Sequence, residues 1–162
     1  MTDVLSSQTI DLPDAAATDR LGAWLAARVG AGDTLLLEGP VGAGKSQLAR
    51  ALIRTCLERV GAEDEVPSPS YTLVQSYDAG GLEIWHADLY RLADPSELVE
   101  LGLEAAFGRA LCIVEWPDRL GDLTPLRTLR IVLGFAGDGR RAVLSGTPSA
   151  AVKELQGWRA DV

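Results

Sequence analysis

The sequence predicts an α/β protein: a mainly parallel sheet with antiparallel hairpin additions and helices on both faces. Three observations carry that prediction. Leu35-Leu36-Leu37 and Leu111-Cys112-Ile113-Val114 are short, wholly apolar runs of the kind buried in the middle of a parallel sheet. Segments with helical spacing of apolar residues alternate with these runs. The stretch Gly39-Pro40-Val41-Gly42-Ala43-Gly44-Lys45-Ser46 has G-x-x-x-x-G-K-[ST] spacing, and it lies between an apolar run and a helical one.

In chain order, Asp14 to Arg28 reads as a first helix, with Leu21, Trp24, Leu25 and Val29 at helical spacing. Thr34 to Glu38 is a buried strand, and Ser46 to Val60 is the helix that the glycine-rich loop opens. After an acidic break at Gly61 to Glu65, Val66-Pro67-Ser68-Pro69-Ser70 is stiffened by two prolines. Tyr71 to Tyr77 and Leu82 to Asp88 flank the turn Asp78-Ala79-Gly80-Gly81 and form an expected hairpin. Asp94-Pro95-Ser96-Glu97 starts a helix that runs to about Phe107. Leu111 to Val114 is a central strand. Thr128 to Phe135 and Arg141 to Ser145 pair around Gly137-Asp138-Gly139, and the tail from Pro148 can form a last helix.

The 162 residues suit a single domain, 1–162, with one sizeable core. No apolar run is as long as a membrane span, and Met1 to Ser7 has neither the basic nor the apolar region of a secretory signal. Cys56 and Cys112 fall in a helix and a strand and read as buried free thiols, so a cytoplasmic location is expected. A net charge of −8 argues against a surface that grips nucleic acid through many phosphates.

The glycine-rich loop implies a bound nucleoside triphosphate. Its backbone N–H groups can wrap phosphate oxygens, and the helix behind it presents its positive end to the same anion. Lys45, one of only two lysines in the chain, can reach the β- and γ-phosphates, and the Ser46 hydroxyl can sit on Mg²⁺. Hydrolysis or transfer also needs an acidic residue near Mg²⁺ and a group that orients the nucleophile. Glu115 follows the apolar strand and suits the first task. Asp88, near the end of Leu82 to Asp88, either orients water or accepts hydrogen bonds behind the site, or else caps Leu89-Tyr90-Arg91. His86 is the only histidine and shares a strand face with Asp88. It is either a site histidine or a partly buried one with a backbone partner. Arg91 suits a phosphate or a helix carboxylate equally. The hydroxyl-rich Ser68 to Thr72 segment reads either as a switch that senses phosphate or as a rigid strand entry. With no asparagine in the chain, the guanine-reading Asn-Lys-x-Asp motif is excluded, and ATP is the default.

Together Gly39 to Ser46, Val66 to Val74, His86-Ala87-Asp88-Leu89-Tyr90-Arg91-Leu92 and Val114-Glu115-Trp116-Pro117 closely resemble the bacterial ATPase family of tRNA threonylcarbamoyladenosine biosynthesis, TsaE, formerly YjeE. The resemblance covers about Asp14 to Leu133. It implies a P-loop NTPase-type sheet and a weak ATPase required for t6A37 modification of tRNAs that read ANN codons. It implies that Ser46 and Glu115 are Mg²⁺ ligands, and that Asp88, Glu115 and Lys45 carry turnover. The implied ATP-binding set is Gly39, Val41, Gly42, Ala43, Gly44, Lys45, Ser46 and Gln47, with Ala15 near the adenine and Ser70 and Thr72 in a switch-like segment. The implied partners are a threonylcarbamoyl transferase subunit and its inactive paralogue (TsaD and TsaB), with tRNA met only indirectly and no membrane. Ser46 and Ser70 stand where the family often has Thr, and Ala87 where it has a bulkier residue. A small-molecule kinase using the same loop is the alternative; against it, the arginines are scattered rather than gathered into a lid.

Overall fold

The computed structural model describes residues 7–62, 65–67, 69, 72–146, 149–155 and 158. Its seven strands are β1 (Ser7–Leu12), β2 (Thr34–Glu38), β3 (Val74–Ala79), β4 (Leu82–Asp88), β5 (Leu111–Glu115), β6 (Leu129–Ala136) and β7 (Gly139–Gly146). They form one sheet in the order β1-β7-β6-β2-β5-β4-β3. The central strands β6, β2, β5 and β4 are parallel to one another, and β3 and the β7–β1 pair extend the edges in antiparallel fashion. The expected fold class is the observed one.

Alternation along β2 divides the core between the two faces. Leu35 and Leu37 pack with Leu21 and Leu25 of α1 (Ala15–Ala26) and Leu48 and Leu52 of α2 (Lys45–Arg59). Leu36 faces the other way, with Ala87, Val114, Leu98 of α3 (Ser96–Leu101) and Leu103 of α4 (Leu103–Ala106). A 3₁₀ segment, Pro117–Leu123, covers this second face through Leu120. Val152 of α5 (Ser149–Glu154) joins the first face, and Arg28, in the turn after α1, donates to Glu154 at 2.8 Å.

α1 and α2 lie so close that a Cβ on Gly22 would stand 2.6 Å from the Ala51 Cβ and 2.9 Å from the Leu52 backbone nitrogen. Asp14 caps α1 by accepting from the Ala17 N–H at 2.8 Å. The Gln47 amide donates to the Ala15 carbonyl at 2.9 Å and to Asp19 at 3.2 Å, which ties the start of α2 to the start of α1.

Three expectations are corrected. Ser7–Leu12 is a strand, read as no element from the sequence, although Ile10 and Leu12 alternate inward. The helix expected from Asp94 to Phe107 is two short helices, because Gly102 takes φ 83° and ends the first with a left-handed turn. The strand expected from Tyr71 starts at Val74 instead. Leu73 at φ 66° closes a turn in which its N–H donates to the Pro69 carbonyl at 2.8 Å. Cys56 and Cys112 are buried and free, as expected. No helix among the described residues is long and apolar enough to cross a membrane.

Candidate nucleotide and metal site

Parallel register brings the ends of β2, β5 and β4 into one row: Leu37 pairs with Glu115, and Glu115 with Asp88. Ligands in open α/β sheets bind at these carboxyl ends. The loop 39–44 leaves β2 at this edge and returns as α2. An open cleft of about 380 Å³ lies above the row, lined by Val41, Gly42, Gly44, Lys45, Ser46, Gln47, Asp88, Tyr90, Arg91, Glu115 and Trp116. A smaller pocket of about 130 Å³ shares Gly42, Gly44 and Gln47 with it and extends past Ala15 and Thr18 to Asp138, Gly139 and Arg140.

The loop geometry depends on glycine. Gly39 takes φ 142°, and a Cβ there would lie 2.3 Å from the Leu133 carbonyl oxygen. Gly44 opens α2 in the left-handed region at φ 103°, and no side chain caps the helix. The first N–H groups of a helix have no partner within it, so this end is built to receive an anion. Lys45 is buried and folds back on its own loop, its Nζ donating to the Gly39 carbonyl at 2.6 Å and the Pro40 carbonyl at 3.0 Å. The ammonium also sits 4.2 Å from the centre of the Trp116 ring. Burial lowers the Lys45 pKa below its ordinary 10.5, and the nearby Glu115 and Asp88 carboxylates partly offset that effect.

Ser46 Oγ donates to Glu115 Oε1 at 2.7 Å, and Glu115 Oε2 lies 2.7 Å from His86 Nε2. Glu115 is 2% exposed and His86 0%. Of the two readings of His86 left open by the sequence, the partly buried histidine with a backbone partner is not the one observed: the ring is fully buried against a carboxylate. Asp88 is buried at the cleft wall, with Oδ1 accepting from the Tyr90 N–H at 3.1 Å. It both stabilises the turn after β4 and faces the cleft.

The Ser46 hydroxyl and Glu115 carboxylate converge beside the helix end, as a hard oxygen-seeking cation requires. Among the described residues no group of three or more His, Cys, Asp or Glu gathers to hold a metal by itself. That donor set fits Mg²⁺, which is held through one or two protein oxygens together with phosphates and water. Softer metals, which want a closed shell of nitrogen or sulfur, have no such shell among the described residues.

Of the residues expected at the site, Val41, Gly42, Gly44, Lys45, Ser46, Gln47, Asp88 and Glu115 line the main cleft, and Ala15 lines the adjoining pocket. Gly39 and Ala43 shape the loop from below: Gly39 accepts from Lys45, and Ala43 is buried. Thr72 is not part of the cleft wall, and its hydroxyl accepts from the Gln75 amide at 3.0 Å. Ser70, with Ser68 and Tyr71, lies outside the described residues.

Sequence reasoning expected the β6–β7 hairpin but gave no site role to its tip or to Trp116. Trp116 adopts φ 58°, a strained left-handed conformation for a bulky residue, with its ring 5.0 Å from that of Tyr90. Its place directly after Glu115 was the available signal. The hairpin tip reaches the loop through Arg140, whose Nε donates to the Gly42 carbonyl at 3.2 Å while its guanidinium lies 4.6 Å from the Phe135 ring centre. The turn Gly137-Asp138-Gly139 marked a hairpin but not what its tip touches.

Comparison with known proteins shows the family and the fold. The family model described as "Threonylcarbamoyl adenosine biosynthesis protein TsaE" matches residues 12–143. The chain is 38% identical over 113 residues to the tRNA threonylcarbamoyladenosine biosynthesis protein TsaE of Bacillus subtilis, covering 69% of this chain and 68% of that protein. It is 33% identical over 138 residues to the protein of the same name from Rickettsia bellii, covering 85% and 93%. The crystal structure of YdiB from Bacillus subtilis superposes with a TM-score of 0.77 at 25% identity, covering 96% of this chain and 98% of that one. The match runs from Leu12, the last residue of β1, to Val143 in β7, so the hairpin tip that lines the small pocket lies within it. This chain belongs to the TsaE family of threonylcarbamoyl adenosine biosynthesis proteins.

Proposed function

We propose that the chain is a single-domain, Mg²⁺-dependent ATPase of the cytoplasm that serves tRNA threonylcarbamoyladenosine biosynthesis, acting on the transferase assembly of TsaD and TsaB rather than on tRNA itself. The observation that carries the ATPase reading is the 2.7 Å approach of Ser46 Oγ to Glu115 Oε1 at the mouth of the phosphate loop, with Lys45 and Asp88 in the same cleft. The names borne by the relatives support the pathway.

On this reading the backbone of residues 39–46 wraps the β-phosphate, and Lys45 exchanges its Gly39 and Pro40 carbonyl partners for phosphate oxygens. Ser46 and Glu115 would hold Mg²⁺. The chemistry such an ion supplies is neutralisation of charge on the β- and γ-phosphate oxygens as the terminal bond breaks. Asp88, on the next strand at the same height as Glu115, accepts a proton from water and aims it. The adenine occupies the smaller pocket between Ala15 and the hairpin tip.

Phosphate release from ATP, measured with and without the two partner subunits for the wild type and Glu115→Ala, tests the proposal. Slow release alone, stimulation by the partners, and a loss of about tenfold or more in Glu115→Ala are expected. Transfer of the terminal phosphate to a metabolite, with no response to the partners, would instead favour a small-molecule kinase.

A further inference from the structure

His86 is the one fully buried ionisable group at the site to which the proposed mechanism gives no task. Its register partner on β5 is Ile113, so the ring sits two register pairs back from Glu115, on the same sheet face, which carries Leu35, Leu37 and α2. From there Nε2 reaches Glu115 Oε2 at 2.7 Å, while Nδ1 is buried with no hydrogen-bond partner among the described residues. A carboxylate oxygen can only accept, so the Nε2 proton lies on the Glu115 side whatever charge the ring carries. A histidine kept only for packing would satisfy both nitrogens or be replaced by an apolar residue of similar size, since an unbonded buried nitrogen costs stability. Here one ring atom is left unbonded and the other is spent on a single carboxylate oxygen.

The effect on Glu115 is specific. Its side chain has three rotatable bonds and would otherwise have several rotamers available. With Oε2 held from below by His86, Oε1 is left facing Ser46 Oγ at 2.7 Å, on the cleft side. We propose that His86 is a positioning residue: it locks the Glu115 carboxylate so that one oxygen is presented, with the Ser46 hydroxyl, to the cation of the nucleotide. The proposal rests on the reading of Ser46 and Glu115 as the ligands of that cation. Groups that orient a ligating side chain from behind affect metal affinity by about 10- to 100-fold.

Two measurements on the full chain test it. Because the chain has one histidine, ¹⁵N-histidine labelling reports on this ring alone. A slowly exchanging Nε2 proton is expected in the wild type, and its exchange should become fast in Glu115→Ala. A fast-exchanging ring proton in the wild type would overturn the proposal. The second measurement is Mn²⁺ binding to the ADP-loaded protein by electron paramagnetic resonance, beside ADP affinity in EDTA. His86→Leu should weaken Mn²⁺ by about 10- to 100-fold and leave metal-free ADP affinity unchanged, and His86→Gln, which keeps an N–H donor, should recover most of the loss. Should His86→Leu fail to fold, His86→Gln and the ring proton decide the matter. Wild-type Mn²⁺ affinity in His86→Leu, together with its loss in Glu115→Ala, would overturn this proposal alone. Wild-type Mn²⁺ affinity in Glu115→Ala would overturn the ligand assignment itself and this proposal with it.

Discussion

Asp88 shows how one carboxylate serves two purposes. Its Oδ1 holds the turn after β4 through the Tyr90 N–H, and the same side chain lines the cleft beside Glu115. Substitutions separate the roles. Asp88→Asn keeps an oxygen for the Tyr90 N–H but cannot take a proton. Both it and Asp88→Ala should bind ATP with near wild-type affinity while partner-stimulated turnover falls by about 10²- to 10⁴-fold. Full turnover in Asp88→Asn would reduce the residue to its turn. Lys45, Ser46, Asp88 and Glu115 were legible in the sequence, because a motif or a strand end marks each. The partner of His86 was not: strand spacing placed it on the face of Asp88, but the carboxylate it meets is 29 residues away and arrives only through β4–β5 register.

At the scale of elements, two close approaches position the loop. Gly22→Ala would force a methyl against Ala51 and the Leu52 backbone, so α1 must move off α2. Any gain in helix propensity is smaller than this overpacking, and a loss of about 1–3 kcal/mol is expected in urea unfolding. An increase in stability would show that the helices can part without strain. Gly39→Ala meets a backbone carbonyl at 2.3 Å from a positive φ, so the loop itself must shift, and ATP affinity should fall with it. Affinity equal to wild type in a calorimetric titration would contradict that account. The apolar strands and the helix starting at the loop were readable because each carries its own period. The division of α3 from α4 was hidden because Gly102 lies within an otherwise continuous helical pattern, and β1 because only Ile10 and Leu12 mark its inward face.

Across the whole molecule, burial sets the behaviour of the thiols and charge sets the company the protein keeps. Burial pushes the Cys112 pKa up from its ordinary 9.0 to about 12 and raises that of Cys56 as well. The unfolded chain releases these protons first as pH rises, so the folded state binds more protons above pH 9. Stability is therefore expected to hold below pH 9 and to fall as pH climbs toward 12, less steeply in Cys112→Ala. Thiol labelling at neutral pH should modify neither cysteine until the protein is unfolded. The net charge of −8 suits contact with proteins better than with a phosphate backbone. The parallel centre of the sheet was legible from its apolar runs, whereas the order of its edges was not, because the β7–β1 pairing depends on contacts far apart in the chain. The central claim is that the Ser46–Glu115 pair and the glycine-rich loop hold one metal–nucleotide complex. The most direct measurement is a crystal structure with ADP and Mn²⁺, with the ion located by its anomalous scattering. The account predicts the diphosphate within the loop 39–46 and the manganese peak at Ser46 Oγ and Glu115. A nucleotide outside that loop, or an ion held by other side chains, would contradict it.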